Sequence, residues 1–198
     1  MQVNNWSQVA GRSTARGGHD TDDVWYNALP RIIGVEPASY YSELALRKNF
    51  YDRKNLIQCP SAKFPPDVRR LNYQIALFSV AMNSHLILEG EGPSTKFQAF
   101  LNFRPVETVI FLDNLLKGED KVTPAQEDSD LGQPAAYADR FSPRHSHGGN
   151  LAFADGHVAW FPGRQVVETT PGSLTLGGPV VPEKDIVWEL PPVLTPPR

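Results

Sequence analysis

The stretch LAFADGHVAWF, residues 151–161, decides how the fold is read. Asp155-Gly156 stands between two apolar runs, the strongest short-range hairpin signal. A two-residue type I′ turn there pairs Ala154 with His157, Phe153 with Val158, Ala152 with Ala159, and Leu151 with Trp160. One face then carries Leu151, Phe153, Val158 and Trp160; the other carries three alanines and His157. Segregation of large from small side chains supports this register, because a one-residue slip would mix them.

Upstream of the hairpin, residues 108–112 (TVIFL) are β-branched and aromatic, follow Pro105 and end at Asp113-Asn114, which predicts a buried strand. Residues 74–82 mix alternation with an apolar run and predict another. Residues 56–60 read as a short extended piece, and 165–167 and 185–188 as broken strands. Thr21-Asp22-Asp23 offers capping oxygens to a short helix over 24–29 that stops near Pro30. Ser39 is placed to cap a second helix through Leu44 and Leu46, with Arg47 and Lys48 near its C-terminus. Residues 119–130 (EDKVTPAQEDSD) hold five carboxylates against one lysine and predict an exposed acidic loop. Residues 1–20 form a polar, Gly-rich lead-in, 21–190 the globular domain, and 191–198 a Pro-rich tail.

The chain has 198 residues, 40% of them apolar, enough for one domain with a real core. Glycine (15) and proline (18) make about one residue in six, which predicts short elements joined by turns rather than a helical bundle. A net charge of −3 offers no basic excess for phosphates and argues against nucleic-acid binding. One cysteine, Cys59, excludes an intrachain disulfide and a multi-cysteine metal cluster. The uncharged run over 71–88 contains too many polar residues for a membrane span, and the start lacks an apolar signal region.

Chemistry concentrates in residues 144–157, where three of the five histidines fall within 13 residues. Three readings stand open. His145 and His147, one residue apart, join His157 or Asp155 around a transition metal such as Zn²⁺. Alternatively, oxygens of Asp113, Asn114, Asn150, Asp155 and the acidic loop, with nearby carbonyls, bind Ca²⁺, and His157 is a further candidate metal residue. In the third reading nothing binds: Asp155 makes the turn, Gly148 and Gly149 permit tight backbone, and the histidines are loop residues. No G-x-S-x-G elbow, P-loop or G-x-G-x-x-G occurs. Cys59 before Pro60 reads as a small buried hydrophobe.

Arg144-His145, nine intervening residues, then Asp155-Gly156 resembles the H-x9-DG motif of prepilin-like proteins. Four further pieces agree in order: Trp25 to Pro30 with a W…L-P segment, Cys59-Pro60-Ser61, Ser79 to Asn83 with S-x-x-M-N, and an apolar strand ending at Asp113. The resemblance spans roughly residues 24–161. It implies a type IV pilin or type II secretion pseudopilin-like domain. The expected fold is α+β, an antiparallel sheet packed on short helices with long irregular loops.

The resemblance further implies an exported, structural role, Ca²⁺ as a stabilising ion, and other pseudopilin-like subunits as partners of the full-length parent. This chain departs from the family in showing no prepilin processing site and no apolar N-terminal helix. The alternative expectation is a metal-dependent hydrolase of a lactone or other ester. In it His145, His147 and His157 act catalytically as ligands or general base.

Overall fold

β-Branched and aromatic residues favour a pleated surface packed on both sides, and Val109, Ile110, Phe111 and Leu112 form most of β2 (Val109–Asp113), the middle strand of a five-stranded sheet. The other strands are β1 (Val80–Asn83), β3 (Ala135–Ala136), β4 (Gly148–Phe153) and β5 (Val158–Pro162), in the spatial order β3-β1-β2-β4-β5. The computed structural model describes residues 24–52, 55, 57–67, 76–86, 104–124, 126, 131–167 and 186–188. Short helices accompany the sheet: α1 (Trp25–Ile32), α2 (Arg47–Phe50) and α3 (Gly163–Val166), with 3₁₀ turns at Ala38–Ser42, Ser84–Leu86 and Ala138–Arg140. The fold is α+β. The sheet is mixed rather than wholly antiparallel, because the two-residue β3 runs parallel to β1; the β1–β2, β2–β4 and β4–β5 pairs are antiparallel.

Pairing places Ala81, Leu112, Leu151 and Ala159 in one row across the sheet, on one face. That face packs into a core with Val109, Phe141, Phe153, Val166, Ile186 and Trp188. The opposite face carries Phe111, which meets the Trp25 ring of α1 at 5.1 Å. Trp25 also contacts Phe78, and its indole N–H donates to the Pro134 carbonyl at 2.8 Å. A second core gathers there around Tyr26, Phe50, Tyr51, Leu77, Phe78 and Leu116. Burying each such side chain stabilises by about 1.5–3 kcal/mol.

The hairpin forms, but one residue out of the expected register. Gly149 faces Phe161, Leu151 faces Ala159 and Ala152 faces Val158. Phe153 N–H donates to the His157 carbonyl, and Gly156 N–H to the Phe153 carbonyl. The loop therefore has three residues, Ala154-Asp155-Gly156, with Gly156 left-handed at φ 93°. His157 joins the face of Leu151 and Phe153, and its ring stacks on Phe153 at 4.3 Å. Val158 and Trp160 turn to the opposite face and are largely exposed.

Other expectations shift too. α1 begins after Val24, which gives no side-chain cap, and continues through Pro30 to Ile32. The second helix breaks at Glu43, whose extended ψ of 134° separates a 3₁₀ turn from α2. Residues 165–167, expected as strand, belong largely to α3; of the piece expected to be extended over 56–60, residue 56 lies outside the described residues and the rest follow turns and bends. Glu119, expected as a solvated loop charge, has a buried side chain. The lead-in 1–20, the Thr21-Asp22-Asp23 cap, residues 74–75 and 185, and the tail 191–198 lie outside the described residues.

Candidate functional site

At the C-terminal end of β2, Asp113 and Asn114 leave the sheet, and the chain from Phe141 to Gly148 returns beside them. Arg144 enters here with its side chain only 4% exposed. Its Nε and Nη2 donate to the two oxygens of Glu119 at 3.1 and 2.8 Å. Nη1 donates to the Ser79 carbonyl at 2.9 Å, and Nη2 also donates to the Asn114 carbonyl. Asp113 Oδ1 lies 3.5 Å from Nη1. A planar fork engaging a carboxylate and two carbonyls is a task for arginine that lysine cannot reproduce. Glu119 accepts further bonds from Leu116 N–H, Ser142 O–H and Lys63 N–H. This saturation explains how an ion pair persists away from water.

Neighbouring polar side chains bind backbone in the same manner. Gln58 Oε1 accepts from both the N–H and the hydroxyl of Ser79, while its Nε2 donates to the Leu77 carbonyl. The Ser79 hydroxyl accepts from Cys59 N–H at 2.6 Å. Asn114 Nδ2 donates to the Phe78 and Gln133 carbonyls, and Asn83 Nδ2 to those of Val109 and Trp188. Cys59, Ser79, Asp113, Arg144 and His145, drawn from four separate pieces of the sequence, thus meet at one place.

His145 is held by its backbone. Ser146 (φ 56°) and His147 (φ 64°) form a two-residue left-handed turn, closed by reciprocal N–H to carbonyl bonds between His145 and Gly148. Trp160 Nε1 donates to the His145 carbonyl at 2.8 Å. A β-carbon on Gly148 would collide with the Phe161 carbonyl and the Trp160 indole, and one on Gly149 would lie 2.5 Å from the Ser142 carbonyl. The paired glycines are needed for close approach. The His145 ring Nε2 lies 3.4 Å from Cys59 Sγ and 3.5 Å from Asp113 Oδ2. Asn150 donates to that same Oδ2 from its backbone N–H (2.7 Å) and its side-chain amide (3.1 Å).

The sequence-predicted candidates divide into three places. His145, Asp113 and Asn150 come together; Asn114 sits beside them with its amide nitrogen committed to two carbonyls and its Oδ1 buried without a hydrogen bond. Asp155 and His157 sit at the other end of β4, separated from His145 by roughly 17 Å of strand. There His157 Nδ1 and Asp155 Oδ1 lie 2.6 Å apart, both exposed, and the bond from His157 holds the Asp155 carboxyl below the ordinary aspartate range. The structure therefore does not gather His145, His147, Asp155 and His157 into one cluster. His147 is exposed and lines a cleft of about 600 Å³ with Ser61, Lys63, Lys121, Ser146 and Arg164. Cys59, Glu119 and Arg144 were not candidates from sequence. The motif pieces Cys-Pro-Ser and Arg-His carry Cys59 and Arg144; nothing local marks Glu119.

No family model matches the chain, and no curated protein or solved structure matches it significantly. Among the described residues, no helix is long and apolar enough to cross a membrane. The geometry itself bears on chemistry. Among the described residues, the nearest approach to a nucleophile–base pair is Cys59 with His145, yet Asp113 approaches the same ring nitrogen as the thiol. A Cys-His-Asp relay requires the carboxylate on the opposite nitrogen. Among the described residues His147 makes no side-chain hydrogen bond to a hydroxyl that it could activate.

Proposed function

We propose that this chain is a non-enzymatic, pseudopilin-like structural domain of an exported protein, with other pseudopilin-like subunits as its partners. One observation carries the reading: motif residues that could have supplied chemistry are occupied in fastening the backbone. Arg144 ties the β2 end to Ser79 and Glu119, Asn83 and Asn114 each clasp two carbonyls, and Ser79 fixes Cys59. Such networks stabilise one arrangement of segments distant in sequence, which suits a subunit whose surface must present a fixed shape. Ca²⁺ receives little support at the predicted oxygens, because it takes about six to eight oxygens and Asp155 lies at the other end of β4 from Asp113, Asn114 and Asn150.

A hydrolase reading retains one feature in its favour, the His147 cleft, whose volume falls in the usual range for small-ligand sites. Both readings are tested by assaying the purified chain on chromogenic esters and lactones with Zn²⁺ or Ca²⁺ present. The structural reading predicts no turnover that responds to His145→Ala, His147→Ala or His157→Ala. Turnover abolished by His147→Ala at an unchanged melting temperature would replace it with the hydrolase.

A further inference from the structure

We propose that Cys59 Sγ, Asp113 Oδ2 and His145 Nε2 form a three-ligand site for a divalent transition metal of the Zn²⁺ type, with a fourth position left to water. The three atoms lie within 4.8 Å of one another, with His145 Nε2 3.4 Å from sulfur and 3.5 Å from the carboxylate oxygen. A tetrahedral Zn²⁺ bonded at about 2.3 Å to sulfur and about 2.0–2.1 Å to nitrogen and oxygen spaces its ligand atoms roughly 3.3–3.6 Å apart. The two separations from His145 Nε2 match those edges, and the sulfur and carboxylate lie within 4.8 Å of each other. As a hydrogen bond, 3.5 Å between ring nitrogen and carboxylate is too long. One Nε2–H also cannot point at both acceptors.

Charge points the same way. Asp113, Glu119 and Arg144 leave one net negative charge among largely buried side chains. A Cys59 thiolate makes it two, and a divalent cation neutralises it. Thiolate with imidazole selects Zn²⁺-like metals over Ca²⁺ or Mg²⁺. The ligands are held from behind: Cys59 through Ser79, His145 through its closed turn and Trp160, and Asp113 through Asn150 and Arg144. On binding, Cys59 S–H releases its proton to solvent and the sulfur donates its electron pair to the metal; no oxidation occurs. The site does not depend on the pseudopilin reading, since a structural subunit or an enzyme could carry it.

Co²⁺ is the most direct probe. Full-length protein titrated with Co²⁺ is expected to develop a thiolate-to-cobalt charge-transfer band and tetrahedral visible bands, saturating at one equivalent. Zn²⁺ should displace it, and Ca²⁺ should not. Cys59→Ser and His145→Ala should abolish both signals, while His147→Ala and His157→Ala retain them. Near-ultraviolet circular dichroism checks that each variant is folded. A wild-type Co²⁺ spectrum without the thiolate band would overturn the proposal even if every variant unfolded. Signals surviving in folded Cys59→Ser, or lost in folded His157→Ala, would overturn it as well.

Discussion

Arg144 shows how much one side chain does in this molecule. Its guanidinium reaches Glu119, Ser79 and Asn114, and it closes on Asp113. In the sequence Arg144 stands only as part of a motif, because a partner such as Glu119 can be found only once the chain is folded. Glu119 itself reads as a solvated charge among five carboxylates, and nothing local marks it as the one that is buried. At the exposed end of β4 the expectation is different. His157 donates to Asp155 from both ring and backbone, and the ring contact contributes most to the lowered carboxyl pKa. That contribution is present above the ordinary aspartate pKa and is lost as pH falls through the depressed one. Carboxyl-carbon NMR titration should place Asp155 below a normal aspartate. His157→Ala should move it upward without full recovery, because the backbone N–H of residue 157 remains.

The hairpin defines what is legible at the element scale. Its existence, strands and turn were visible in residues 151–161; its register was not. Asp-Gly fits either a two-residue turn or the last positions of a three-residue loop, and segregation of side-chain volume fixes the register only where the large side chains go to a buried face. β5 is an edge strand with Val158 63% exposed, and Trp160 is used instead to cover Gly148 and bond the His145 carbonyl. The two-residue left-handed turn exists elsewhere, at Ser146-His147, where neither residue type announces it. Gly156→Ala should cost about 1 kcal/mol, from the positive φ alone, since its β-carbon would meet open space. Gly148→Ala should cost more, about 1–3 kcal/mol, because the Phe161 carbonyl and the Trp160 ring must move. Urea unfolding of the two variants checks the order, and the reverse order would contradict the observed register.

Across the whole molecule, the α+β class follows from the family resemblance, and the central strand and the hairpin follow from local pattern. The convergence of distant motif pieces does not, since it depends on how β1, β2 and β4 stack. Glu119 and Arg144 are 25 residues apart, and Cys59 and His145 are 86 apart. If the three-ligand site holds Zn²⁺, a hundredfold excess over Kd should stabilise the chain by about 2.7 kcal/mol, with reversal by EDTA and no comparable effect of Ca²⁺; thermal melts would read this. Motif residues hold distant segments together around Arg144. Equilibrium urea unfolding of Arg144→Ala against wild type tests that fastening. Removing one partner of a buried ion pair leaves the other uncompensated, so stability should fall by about 3–5 kcal/mol with an unchanged denaturant slope. A variant within about 0.5 kcal/mol of wild type, the range of an ordinary surface substitution, would contradict the account.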